Sequence, residues 1–220
     1  MTTKAIVFDA YGTLFDVHTV VEKCEELFPG KGRQISDRWR VKQLEYSWLR
    51  AVMGRYEDFW SVTRDALTFV LKELQIEASE DTQAALLQEY LHLNPYPEVP
   101  DALNEWKNKN LAILSNGSPD MLHTLVENAG LSHCFSHLIS VDELKTYKPF
   151  MGVYQLGPST LRIPKEETLF VTSNSWDAAG AKTFGYQVCW INRFQLQFDE
   201  LGVKPDLVVT RMDELVEKLR

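Results

Sequence analysis

Ala5-Ile6-Val7-Phe8-Asp9-Ala10-Tyr11-Gly12-Thr13 begins as a compact apolar, partly β-branched run and stops abruptly at an acidic residue and a glycine turn. Four apolar residues suit a buried strand and are too few for a helix, so the run reads as a strand emptying into a tight turn. A strand with no polar alternation is covered on both faces, the usual state of a parallel sheet. Similar runs recur at Leu111 to Leu114, Leu138 to Val141, Leu169 to Thr172, Gln187 to Ile191 and Leu207 to Val209, with amphipathic helix-length stretches between most of them. The alternation predicts an α/β fold built on a doubly wound, mostly parallel sheet.

Residues 15–97 interrupt that rhythm. No strand-like run occurs there, and apolar residues fall at helical spacing, as in Phe59, Val62, Ala66, Phe69 and Val70. Ser36-Asp37 supplies N-cap residue types for a helix continuing through Trp39, Arg40, Leu44 and Trp48, and Gly54 separates it from the next. Pro95-Tyr96-Pro97-Glu98-Val99-Pro100 ends the helices. The expected organisation is an α/β core from residues 1–14 and 98–220, with 15–97 inserted as a helical cap subdomain.

A net charge of −8 on 220 residues excludes the basic footprint of a nucleic-acid or anionic-membrane binder, and gives individual Lys and Arg positions more weight. Cys24, Cys134 and Cys189 are scattered without metal-ligand spacing, and His18, His92, His123, His133 and His137 form no cluster with them. Ala5 to Phe8 is too short for a signal peptide or a membrane span. The expectation is a cytoplasmic protein with no metal, no cofactor and no membrane partner.

Open α/β sheets build their sites beyond the carboxyl ends of the strands. Four such ends carry polar residues in order: Asp9, then Ser115-Asn116-Gly117, then Lys148 in Thr146-Tyr147-Lys148-Pro149, then Ser173-Asn174-Ser175-Trp176-Asp177. Taken singly, each is ordinary turn, cap or surface chemistry. Taken together, they resemble the four motifs of the haloacid dehalogenase superfamily over essentially the whole chain. Asp9 to Val17 and Ser173 to Ala178 are most similar to the L-2-haloacid dehalogenases. The resemblance implies a Rossmann-like core and a nucleophilic aspartate.

Two positions separate this chain from the magnesium-dependent phosphatases of that superfamily. Phosphatases need a second aspartate two residues after the nucleophile, and Tyr11 stands there, unable to do carboxylate work near neutral pH. They also bind magnesium through acidic residues of the fourth motif, where Ser173 and Asn174 precede Asp177. A non-catalytic binding protein on the same fold is the other alternative, and the joint presence of Asp9, Arg40, Lys148 and Asp177 speaks against it.

The implied reaction is hydrolysis of a short (S)-2-haloacid to the (R)-2-hydroxyacid and halide. Asp9 attacks C2 to form an ester, and water opens it with help from Asp177, Asn174 and Ser173. Lys148 keeps Asp9 and Asp177 ionised in one small volume, and Thr13 orients Asp9. By the resemblance, Ser115 and the backbone N–H groups of Ala10 and Tyr11 take the substrate carboxylate, while Arg40 and Asn116 take the halide. Tyr11, Leu44, Phe59 and Trp176 line the pocket, and Tyr154 aligns Lys148. Phe150, Met151 and Thr172 depart from the family pattern without removing a required group. The resemblance also implies a homodimer through the cap helices, for which Trp48, Trp60 and Phe69 offer apolar surface.

Overall fold

Strand β1 (Ala5–Phe8) is buried along its whole length at the middle of a six-stranded parallel sheet in the computed structural model, which describes residues 3–220. Residues 1 and 2 of the expected first core segment lie outside the described residues. The other strands are β2 (Asn110–Ser115), β3 (His137–Ser140), β4 (Thr168–Thr172), β5 (Gln187–Ile191) and β6 (Leu207–Val209), in the order β3-β2-β1-β4-β5-β6. Every pairing is parallel, with Phe8 beside Ile113 on one side and Val171 on the other. All the apolar runs read as strands from the sequence form strands.

The winding direction reverses at β1 and β4, because the chain builds outward through β2 and β3 and then returns to the opposite edge of β1. Neighbouring helices consequently diverge above these two strand ends and leave a crevice there. Asp9 follows β1 and the Ser173–Asp177 segment follows β4, so sheet topology alone brings the first and fourth motifs together. Connecting helices α5 (Val99–Glu105), α6 (Pro119–Asn128), α7 (Met151–Tyr154), α8 (Leu156–Leu161), α9 (Ser175–Phe184) and α10 (Met212–Lys218) complete the α/β part of the chain.

Between β1 and α5 lie four helices, α1 (Thr19–Leu27), α2 (Gly32–Val52), α3 (Phe59–Glu73) and α4 (Glu80–Gln88). Helix α3 buries Phe59, Val62, Ala66 and Val70, and Asp58 caps it by accepting from the Ser61 N–H at 2.8 Å. Helix α2 starts four residues before the Ser36 cap expected from the sequence. Its first turn is held from α1, where the Glu25 carboxylate accepts from the Gly32 N–H at 2.8 Å. A carboxylate at a helix N-terminus satisfies an orphan donor and opposes the helix dipole, so Ser36 is freed to lie inside the helix.

The two chain segments linking these helices to the sheet run side by side. Phe15 pairs with Pro95 in an antiparallel bridge, Asp16 N–H donates to Asn94 O at 2.8 Å, and Tyr96 N–H donates to Leu14 O at 3.0 Å. Arg193, just past β5, clamps both: Nη2 donates to Thr13 O at 3.0 Å, Nη1 pairs with the buried Glu98, and the guanidinium lies 3.7 Å from the Tyr96 ring centre.

Trp48, Trp60 and Phe69 are half-buried, and Trp60 and Phe69 pack against the core, so they are not the free apolar surface expected of them. The exposed apolar residues of this region are Val41, Leu49 and Val52 on α2, with Met53 just beyond it. All three cysteines are free thiols, and burial pushes Cys24 and Cys189 up to about 12. Among the described residues no helix is long and apolar enough to cross a membrane.

Candidate active site

The turn after β1 places the first group. Gly12 sits at φ +85°, a conformation that costs a glycine little, and Ala10 O accepts the N–H groups of Thr13, Leu14 and Phe15. This tight reversal carries the Thr13 side chain back onto Asp9, whose Oδ2 accepts the Thr13 hydroxyl at 3.0 Å. Ser173 N–H donates to Thr13 Oγ1 at 2.8 Å, so the Thr13 proton is left for Asp9. Asp9 Oδ2 also accepts Asn174 Nδ2 at 2.8 Å and lies 3.4 Å from Thr172 Oγ1. Oδ1 accepts one donor, Lys148 Nζ at 3.1 Å, and so keeps a lone pair available.

Lys148 Nζ bridges Asp9 and Asp177, the latter at 2.9 Å, and its side chain is fully buried. Burying an ammonium costs several kcal/mol, while each contact at this range is worth about 4 kcal/mol at an effective dielectric near 20. One carboxylate would about break even; two hold the charge. Burial acts against the ammonium, yet Asp177 and Asp9 outweigh it and raise the Lys148 pKa above the ordinary lysine value. Asp177 is fully buried at the start of α9, and its Oδ1 accepts the Tyr154 hydroxyl at 2.7 Å. Burial pushes the Asp177 carboxyl up to about 6, with Asp9 adding to the rise and Lys148 opposing it. Gly180, one turn along α9, leaves the space through which the Tyr154 hydroxyl reaches it.

A tight cavity of about 10 Å³, room for about one water molecule, opens over Asp9, lined by Asp9, Tyr11, Arg40, Leu44, Phe59, Asn116, Asn174 and Trp176. Asn116 Oδ1 accepts the Lys148 N–H at 2.9 Å, which leaves Nδ2 as the donor end of that amide. The N–H groups of Ala10 and Tyr11 have no hydrogen-bond acceptor among the described residues, although both residues are buried. Unspent buried donors beside an aspartate form a receptor for a second anion. A larger open groove lined by Tyr56, Asp58, Asp120 and Lys145 contains none of the strand-end residues.

Several residues sit differently from their expected places. Ser173 contributes its backbone N–H, while its Oγ is buried without a partner among the described residues. Thr172 stands beside Asp9 instead, because the β1–β4 register sets residue 172 next to residue 9 and successive side chains alternate in direction. Ser115 is buried and not part of the cavity wall, with Oγ accepting from the Gly117 N–H at 3.1 Å and its own proton left to donate. Tyr154 reaches Lys148 only through Asp177. No group of three or more His, Cys, Asp or Glu side chains suited to a metal is found among the described residues.

Two carboxylates bridged by a buried lysine at the switch point of a doubly wound sheet are the arrangement of a hydrolase of the aspartate-nucleophile class. Residues 3–185 match the haloacid dehalogenase-like hydrolases, and the chain belongs to that family. It is 51% identical to haloacetate dehalogenase H-2 of a Moraxella species, over 97% of this chain and 96% of that one. It is 50% identical to the (S)-2-haloacid dehalogenase of Pseudomonas sp. strain YL, over 97% and 93% of the two chains. The L-2-haloacid dehalogenase of Xanthobacter autotrophicus, solved with chloropropionic acid covalently bound, superposes with a TM-score of 0.96 at 42% identity, covering 100% of this chain and 99% of that one.

Proposed function

We propose that this chain hydrolyses short (S)-2-haloacids to (R)-2-hydroxyacids through an ester on Asp9. The observation that carries the reading is a buried carboxylate paired with a buried ammonium, facing a small cavity beside backbone N–H groups that no protein acceptor uses among the described residues. The donors at Ala10, Tyr11 and Ser115 hold the substrate carboxylate, which sets C2 against Asp9 Oδ1. Oδ1 forms a bond to C2 from the face opposite the halogen, and the C2–halogen bond breaks with its electron pair leaving on the halide. A single displacement inverts C2. Arg40 and Asn116 receive the halide, and Leu44, Phe59 and Trp176 keep water from its path.

Water then attacks Cγ of Asp9. Asp177 takes one water proton, the Cγ–Oδ1 bond breaks, Asp177 passes that proton to the departing alkoxide oxygen to give the hydroxyacid, and the second water proton leaves to solvent as Asp9 ionises again. Oδ1 therefore departs with the product, and water oxygen replaces it in the enzyme. One turnover in heavy-oxygen water tests this directly: the Asp9 peptide gains the label, and label found only in the hydroxyacid refutes the ester. The steps written here ask nothing of a metal: Asp9 and water are the nucleophiles, and the Lys148 ammonium supplies the positive charge between the two carboxylates. Halide release unchanged by chelator is expected.

Asp177 must be ionised to accept a proton, and its pKa is pushed up to about 6. In the ester Asp9 is neutral and no longer adds to that rise, so the basic form is lost somewhat below that value, and hydrolysis of the ester slows by about tenfold per pH unit on the acid side of it. The ester then accumulates, visible as a mass increase on Asp9 in acid-quenched enzyme. A turnover rate with no acid-side fall down to about pH 4 would remove Asp177 from the role of base.

The helices of residues 15–97 act as a cap over a core formed by 1–14 and 98–220, with Arg40, Leu44 and Phe59 as the cap's share of the cavity. The protein works in the cytoplasm, a placement supported by its three unpaired thiols. The exposed apolar residues Val41, Leu49, Val52 and Met53 support a homodimer formed through α2.

A further inference from the structure

Arg40 lies at the cavity wall with no carboxylate within ion-pair distance among the described residues; its one hydrogen bond runs from Nη1 to Gln43 Oε1 at 2.7 Å. Gln43 is fully buried between α2 and α3. Its Nε2 donates to Thr63 Oγ1 at 2.7 Å, and Thr63 donates onward to Phe59 O at 2.6 Å. Trp39 Nε1 fixes the same turn of α3 by donating to Thr63 O at 2.8 Å.

The direction of this chain follows from counting protons. Thr63 has one hydroxyl proton and spends it on Phe59 O, so its oxygen can only accept from Gln43. The Gln43 amide must then turn its NH₂ toward Thr63 and its oxygen toward Arg40. A neutral side chain is thereby locked as an acceptor for one arm of the guanidinium, and the remaining N–H groups of that arginine are left to the cavity. Charge explains why an amide stands there. The site already holds two carboxylates against one ammonium, and each turnover adds the substrate carboxylate and a departing halide. Glutamate would reach Arg40 equally well but would cancel its charge.

We propose that Gln43 is a positioning residue that aims Arg40 at the leaving halide while keeping its full positive charge. This rests on the reading of Arg40 as the halide receiver. Chloride, the poorer leaving group and harder ion, depends on that charge more than bromide does.

The test compares Gln43→Met, Gln43→Glu, Thr63→Val, Thr63→Ser and Arg40→Met in the full chain. The readouts are inhibition by bromide ion and single-turnover halide release from 2-chloropropionate and 2-bromopropionate. Gln43→Met weakens bromide inhibition by about tenfold, the scale of one lost charge-assisted hydrogen bond, and slows the chloro acid more than the bromo acid. Gln43→Glu acts in the same direction and more strongly, although its volume is unchanged. Thr63→Val, which releases the Gln43 amide, reproduces part of the loss, and Thr63→Ser does not. A merely structural role for Gln43 would slow both halogens equally, and that result overturns the proposal. If Arg40→Met leaves bromide inhibition intact, the reading of Arg40 falls and Gln43 with it. If Arg40→Met weakens inhibition and Gln43→Met does not, the positioning role alone falls. Should Gln43→Met fail to fold, Thr63→Val against Thr63→Ser decides.

Discussion

Asp9→Asn is expected to lower halide release by on the order of 10⁴-fold or more, with the fold intact, because an amide has neither the charge nor the nucleophilicity for displacement at an sp³ carbon. The substitution is nearly isosteric, and the surroundings support it structurally. Thr13 and Asn174 reach Oδ2 and Lys148 reaches Oδ1, so an amide placed with its oxygen toward two of these donors disturbs one contact. Lys148 keeps Asp177 as a partner, which prevents a bare buried ammonium. Substrate should still bind, since the N–H groups of Ala10 and Tyr11 are untouched. The measurement is single-turnover halide release beside thermal unfolding, with the intact amide checked by mass. Release within about tenfold of the parent, with no deamidation, would mean that water attacks C2 directly.

Legibility in the sequence followed the range of the interactions. The strand ends could be read because each strand and its polar terminus are contiguous, and parallel winding dictates that such termini converge. Asp9, Asn116 and Asp177 are accessible on that basis; Lys148 is not a strand terminus, since β3 ends at Ser140 and a short helical turn, Val141–Leu144, intervenes. Arg40, Leu44 and Phe59 came only from resemblance, since nothing local to a helix says that its polar or apolar face roofs a site tens of residues away. The misplaced details depend on single contacts between distant residues. The start of α2 is fixed by Glu25 from the preceding helix, which outweighs a good local cap at Ser36. Ser173 turns its hydroxyl away and Thr172 lies beside Asp9 because register, not residue type, decides which hydroxyl faces that carboxylate. Gln43 reads in isolation as one more polar residue on a charged helix, and Arg193 is separated by 180 positions from the carbonyl it holds. Neither leaves a local trace.

Lys148→Met produces the second large effect, and its signature lies in stability as well as rate. The parent lysine pairs with two buried carboxylates, and removal of one member of such a group costs about 3–5 kcal/mol because the partners stay behind unpaired. Asp9 and Asp177 relieve that cost by taking up a proton, so carboxyl pKa values in the folded variant rise above their unfolded values. With more protons bound in the folded than in the unfolded state, stability falls as pH rises through those raised values and returns as pH is lowered. Urea unfolding at about pH 5 and about pH 8 should therefore diverge in the variant far more than in the parent. Halide release drops by on the order of 10³-fold or more, because the proton sits on the nucleophile or on the base for much of the time. Adding Asp177→Asn to Lys148→Met removes one of the two charges; it should recover much of the stability and none of the turnover. A Lys148→Met enzyme with parental stability at both pH values would show that the two carboxylates do not depend on this ammonium, and the nucleophile's charge would need another source.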